Sequence, residues 1–295
     1  MFVWGFTAIL GRLISLDAVS LVWHRMLIAV AVLLVYLMAR KKLQPLSFRN
    51  ALPVLSAGLV IAAHWITFFL AIKVANVSIT LAMMSTAALF ASLLEPLFFR
   101  RKIDVLEIGL GVIVVGGLYM IFRADDTHLV GMMIALCSAF LSALFSVVNG
   151  KLIKRHKPTT ITAYELLGGV IGISLYMLTA GKFSQDMFAL GNCTEGGFWG
   201  LLGGYCDLTL LLLLGTVCTA WAFIESVAVM KYLSPYTVVL SINMEPVYGI
   251  VLAFLFFGES ERMNPLFYVG TLVILSALFT EAYVKRRRKR IAENQ

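Results

Sequence analysis

An acid and a proline interrupt the stretch Ser241 to Glu259, SINMEPVYGIVLAFLFFGE, which is otherwise apolar enough to sit in lipid. A carboxylate at bilayer depth is costly, so it faces a cavity, finds a partner, or carries ions or protons. Pro246 has no backbone N–H to donate, and the kink it favours leaves an unpaired carbonyl near Glu245. The chemistry on offer is recognition of a cationic group, or proton exchange, inside a membrane.

Counting from the ends of the apolar runs at about 1.5 Å per residue brings further polar groups to the same depth. His64, Trp65, Ser85, Thr86, Trp221, Asn243 and Glu245 all fall near the midplane. As a substrate region, they would offer Glu245 to a cation or proton, the tryptophans for stacking or gating, and the smaller groups for hydrogen bonds. Ordinary helix packing is the plain alternative for each tryptophan, and a satisfied structural role is the alternative for His64. Nearer the ends of the runs, His24 and Arg25 could meet an anionic group at the outer face, unless Arg25 simply snorkels to the interface. Tyr164, Glu165 and Glu225 group toward the opposite side, as a vestibule or as a local pair with Lys231. Glu95, close to Arg100, suits an interfacial salt bridge.

The elements that must position these groups follow from composition. Of 295 residues, 60% are hydrophobic and 14% charged, a balance that fits a polytopic membrane protein and not a soluble domain. A spanning helix needs about 20 apolar residues, and ten runs of roughly that kind occur: about 1–16, 19–39, 51–74, 77–99, 105–122, 129–150, 159–180, 207–230, 235–257 and 264–284. The first is short, which suits a tilted or partly interfacial helix or a start lacking a few residues. Without a basic n-region or a small-residue cleavage site, it does not read as a removable signal peptide.

The net charge of +8 is distributed by topology. Alternating the breaks across the membrane puts 18 of the 24 Lys and Arg on one side, including the KRRRKR of residues 285–290. The positive-inside rule then makes that side, and both termini, cytoplasmic; a nucleic-acid partner is not implied.

GRLISLDAVSLVWHRM (11–26) aligns with GKLIKRHKPTTITAYEL (150–166), Trp65 with Trp221, and Phe98–Phe99 with Phe256–Phe257. The expected fold is all-α: ten transmembrane helices as two five-helix repeats, 1–124 and 125–284, followed by a basic tail, 285–295. Five is odd, so the second copy is inverted, the plan of secondary transporters with a midplane site between repeats.

WGFTAILGRLI near the start, LFASLLEPLFF in the fourth run and NMEPVYGIVLAFLFFGE in the ninth resemble the EamA-type branch of the drug/metabolite transporter superfamily. The resemblance covers nearly the whole chain. It implies a bacterial inner-membrane carrier, commonly an exporter of amino acids or related metabolites. No cofactor is expected. The chain departs from internal symmetry in one respect: Glu245–Pro246 falls opposite Ala87–Ala88, not Glu95–Pro96, and Arg101 opposite Glu259. Roles therefore do not transfer between halves.

Residues 181–206 form the longest external segment. Cys193 and Cys206 both lie in it, and a disulfide between them is one reading and two free thiols the other. Cys137 and Cys218 fall inside runs as packing residues. There is no G-x-x-x-x-G-K-[ST], so ATP drive is not expected; H-E-x-x-H and G-x-S-x-G are also missing, and the four histidines are scattered. These absences weigh against an intramembrane enzyme and against a metal site. A receptor or scaffold would leave the repeat and the convergent polar groups unexplained. The partners expected are a small-molecule substrate, the lipid bilayer and a coupling proton, in a monomer or homodimer.

Overall fold

In the computed structural model, residues 2–41, 44–100, 105–124, 127–183, 185–188, 190, 193–194, 205–242 and 244–293 are described. They are almost entirely helical. In order the helices are α1 (Phe2–Leu13), α2 (Ala18–Ala39), α3 (Phe48–Val74), α4 (Val77–Met84), α5 (Ala87–Phe99), α6 (Val105–Ala124), α7 (Leu129–Leu152), α8 (Pro158–Thr179), α9 (Asp207–Gly215), α10 (Ala222–Val229), α11 (Pro235–Ile242), α12 (Glu245–Phe257) and α13 (Pro265–Glu293). Among the described residues, eight helical stretches are long and apolar enough to cross a membrane, joined by two shorter apolar helices, Val3–Leu13 and Ile108–Ala124. The two short ones coincide with the first and fifth runs of the sequence.

Three of the spans are interrupted. Val77–Phe99 breaks at Ser85–Thr86, between α4 and α5; Pro235–Phe257 breaks between α11 and α12. The two broken spans match in length: α4 and α11 have eight residues each, α5 and α12 thirteen each. At the first break the Ser85 and Thr86 hydroxyls donate to the carbonyls of Ala82 and Met83, so side chains satisfy backbone groups in place of the helical ladder. The third interruption is a π-helical turn, Thr216–Trp221, between α9 and α10.

Local chemistry fixes where the helices begin. The Asp17 carboxylate accepts from the Val19 and Ser20 N–H groups and opens α2. The Asn76 side chain accepts from Ile79 N, and the buried Glu261 carboxylate accepts from Val77 N and Ser78 N at 3.1 and 2.8 Å, so α4 has two caps. An acid is favourable there because the helix start carries positive partial charge.

Between helices in lipid there is little hydrophobic drive, and close packing decides association. Helix α3 lies against α7 and α8, and α6 against α13. A Cβ on Gly58 would sit 1.9 Å from the Glu165 carbonyl oxygen, and one on Gly168 2.3 Å from that of Leu55, so α3 and α8 touch backbone to backbone. Gly117 and Gly270 do the same for α6 and α13, whereas Gly109 and Gly116 face open space.

On the side opposite the basic residues, the turn between α1 and α2 is tied down three ways. Ser15 donates through its N–H and hydroxyl to the Asp207 carboxylate, Lys73 donates to the Ile14 carbonyl, and Arg12 to that of Ile72. Nearby, Cys193–Thr194 and Tyr205–Cys206 form a two-stranded antiparallel ladder with Cys193 opposite Cys206.

Candidate functional site

Helices α1, α2, α3, α4 and α7, together with α10 and the α11–α12 break, surround a cavity of ≈ 70 Å³. One cationic and one acidic side chain, Arg25 and Glu245, line it together with His64, among aromatic walls formed by Trp4, Trp65, Phe68, Phe145 and Phe223. Room of this size holds a few waters.

Arg25 is 2% exposed. Its Nε donates to Thr219 Oγ1 at 2.5 Å, and its guanidinium carbon lies 4.0 Å from the Trp65 ring centre and 5.5 Å from that of Phe69. Stacking of a desolvated guanidinium on an indole face is favourable by about 2 kcal/mol. Nη1 is buried with no hydrogen-bond partner among the described residues. The π-helical turn builds the Thr219 contact: Thr219 Oγ1 donates to Leu214 O, five residues back, and then accepts from Arg25.

Glu245 is the first residue of α12. The break therefore brings a helix N-terminus, with its positive partial charge, beneath a carboxylate in the middle of the span. His64 is anchored on α7. Its Nδ1 contacts Ser138 O at 3.0 Å and Ser138 Oγ at 2.9 Å, while Ser138 Oγ donates to the His64 carbonyl. With the hydroxyl proton spent on that carbonyl, Nδ1–H donates to Ser138 O, which leaves Nε2 as an acceptor in the neutral ring.

Of the residues expected at the midplane, His64, Trp65 and Glu245 come together here. Ser85 and Thr86 are fully buried but are not among the described lining residues; their neighbour Met84 is. Trp221 is 56% exposed. The extra residue of the π-helical turn rotates the chain beyond it by about 100°, so Phe223 and Ser226 take the inward face instead. Asn243 lies outside the described residues.

Arg25 belongs to the cavity, not to the outer interface, because the π turn and two aromatic faces hold its side chain inward. His24 is buried beside it in sequence but points elsewhere: its Nδ1 meets Ser20 O and its ring lies edge-on to Trp23 and Phe188. Tyr164, Glu165 and Glu225 do not form one vestibule. The Tyr164 hydroxyl accepts from Leu46 N, Glu165 is fully buried beside Asn149, and Glu225 is exposed.

The cavity also takes Trp4, Thr7, Ser142, Ser146 and Ser226. Two of these were signalled in the sequence: Ser138, Ser142 and Ser146 recur every four residues and so share one face of α7. Ser146 Oγ, like Arg25 Nη1, is buried without a partner.

The model of the EamA-like transporter family matches the chain twice, over residues 1–123 and 129–280. No curated protein sequence matches it. A solved crystal structure aligns with 97% of this chain and 94% of its own length at a TM-score of 0.64 and 15% identity, a likeness of fold.

Proposed function

The chain belongs to the EamA-like transporter family, and from that premise we propose that it is a secondary transporter exporting amino acids or related small metabolites by alternating access. The observation that carries the proposal is the joint presence of Arg25, with a free buried donor, and Glu245 in one aromatic-walled cavity. A zwitterion matches that pair: its carboxylate to the guanidinium fork, its ammonium to Glu245, and an apolar side chain against Trp65, Phe68, Phe145 and Phe223. The cavity holds only a few waters as it stands, so substrate entry requires the surrounding helices to separate.

The same reading takes the chain as two inverted five-helix repeats, 1–124 and 125–284. Support comes from the double family match and from the equal lengths of the broken spans α4–α5 and α11–α12, each 158 residues apart (77 to 235, 87 to 245). Discontinuous helices at corresponding positions of two halves are the usual location of a transport site. With the basic loops inside, both termini are cytoplasmic and the membrane is a bacterial inner one. Glu245 and His64 are the groups proposed to couple proton movement to transport. On the external side, Cys206 is disulfide-bonded and faces Cys193 in the ladder, so Cys193 is its proposed partner.

The test is a growth-toxicity screen of cells overexpressing the chain, challenged with amino acids, amino-acid analogues and amphiphilic cations, alongside Glu245→Gln. Protection against one class, lost in the variant, is expected. No protection by well-expressed protein would reject the exporter reading. Proton coupling is tested in proteoliposomes, where unchanged pH-gradient-driven transport by Glu245→Gln would remove that role.

A further inference from the structure

A second carboxylate lies outside the central cavity, toward the basic side. Glu165 sits in the third turn of α8, counted from Pro158, and is 0% exposed. Asn149, near the end of α7, is also 0% exposed, and its Nδ2 approaches Glu165 Oε2 at 3.4 Å. Neither residue is among the described lining of the cavity that holds Arg25 and Glu245.

The hydrogen-bond inventory of this pair does not close. Glu165 Oε1 and Asn149 Oδ1 are both buried without a partner, and so is Thr162 Oγ1, one turn earlier on the same face of α8. Two buried acceptors thus lack a donor among the described residues, which is costly for each group. Among the described residues, no basic side chain is paired with either acceptor. From α3, the element packed most closely here, the facing residue is Gly58, whose backbone lies against the Glu165 carbonyl. From α2 and α10, Leu33, Leu37 and Ile224 pack around Ala163. The titratable groups on those elements are occupied elsewhere: Arg25 and His64 line the central cavity, His24 contacts Ser20 O, Lys73 donates to Ile14 O, and Tyr36, Arg49 and Glu225 are exposed. Tyr164, next in sequence, accepts from Leu46 N, and no acid or base of α7 other than the exposed Lys151 lies near Asn149.

We propose that Glu165 and Asn149 form a proton-binding site separate from the central cavity, at which Glu165 carries a proton on Oε1. A proton taken from water converts Oε1 to a hydroxyl donor and neutralises the carboxylate; the acid then gives the donor that the Asn149 oxygen lacks. Because Glu165 and Asn149 are both 0% exposed, exchange of that proton requires the helices around them to part. The site bears on transport only through the alternating-access reading above, but its proton occupancy can be measured without any substrate.

The experiment is difference infrared spectroscopy of the full-length purified protein in lipid, titrated with pH, in a Glu245→Gln background so that the central carboxylate is silent. A protonated, buried carboxylic-acid C=O band is expected in that protein and absent when Glu165→Gln is added. A band unchanged by Glu165→Gln, or no such band at any pH, overturns the proposal. Loss of the band on replacing potassium by sodium at constant pH would overturn the proton in favour of a metal cation. Thermal stability provides an independent reading, because the glutamine side chain supplies the missing donor at every pH. The parent protein should lose stability relative to Glu165→Gln as pH rises, since a group protonated when buried and ionised when unfolded stabilises only at the lower pH. Equal pH profiles would count against the site. Should Glu165→Gln not fold, Asn149→Ser keeps the carboxyl and must shift the band; an unshifted band refutes the pairing.

Discussion

The guanidinium carbon of Arg25 lies 4.0 Å from the centre of the Trp65 ring, while its Nε donates to Thr219 Oγ1. A planar, delocalised cation can stack and bond in this way; a lysine ammonium cannot do both. Arg25→Lys is therefore expected to lower counterflow of the compound that the growth screen identifies by at least about tenfold, whereas Trp65→Phe, which keeps a ring, should cost less. Wild-type transport and KM by Arg25→Lys would show that charge alone suffices and that the stacked fork has no role.

Helices α3 and α8 meet through glycine, and the size of the close approach predicts which glycines can be changed. Gly58→Ala would place a methyl 1.9 Å from a backbone oxygen that cannot move without shifting a helix. Overpacking of that kind costs about 1–3 kcal/mol. Gly109→Ala and Gly116→Ala meet nothing within 4 Å and should leave thermal stability in detergent unchanged or slightly raised through helix propensity. Equal melting temperatures for all three variants would contradict the backbone contact.

Asp17 gives a pH dependence outside the membrane-spanning segments. Burial pushes its carboxyl up, but the hydrogen bonds it accepts from Ser20 and Val19, aided by the Lys182 charge, more than offset this and hold it below the ordinary carboxylate value. A depressed value means that the cap stabilises above the unfolded carboxylate pKa of about 3.9 and is lost as pH falls through the folded one. Asp17→Ala should thus cost about 1 kcal/mol at neutral pH, and the gap in melting temperature between variant and wild type should close under acid. A gap that persists at low pH would mean that the aspartate acts through packing instead of its charge.

Much of this arrangement was legible from residue types. The run lengths marked the helices, and Glu245–Pro246 marked a break because a helix that loses a donor beside a buried acid has to reorganise locally. Depth is a linear property of sequence, so His64, Trp65 and Glu245 were assigned to one level by counting. Facing is not linear once a helix carries a π turn. Trp221 was expected in the midplane site by the same counting of depth, but the extra residue in Thr216–Trp221 turns it to the outside and brings Phe223 inward. The same turn positions Thr219 for Arg25, which depth counting had assigned to the outer face. Ser142 and Ser146 stand in a four-residue stripe on α7, a pattern that does not by itself mark a site, since serine is common in packed membrane helices. The Glu165–Asn149 contact pairs side chains on two helices and has no signature along the chain.

The turn between α1 and α2 is fastened to α9 by Asp207, whose carboxylate takes the Ser15 N–H at 3.0 Å and also the Ser15 hydroxyl. Asp207 is 2% exposed and stands in the first turn of α9, where the helix end favours its charge. Access to the cavity from this side must separate α1 from α9, since Trp4 and Thr7 of α1 form part of the cavity wall. The latch opposes that separation. Asn at position 207 keeps one acceptor for the Ser15 N–H but offers an NH₂ to the hydroxyl, so one charge-assisted bond is lost, worth about 1.5–3 kcal/mol. Opening on this side should then become roughly ten- to a hundredfold more frequent, by the ordinary conversion of free energy to population. Hydrogen–deuterium exchange of the protein in lipid reads this directly: Asp207→Asn should speed exchange across residues 2–20 while leaving α6 and α13 unchanged. Faster exchange everywhere would mean general destabilisation, and unchanged exchange in residues 2–20 would mean that Asp207 does not hold the turn closed.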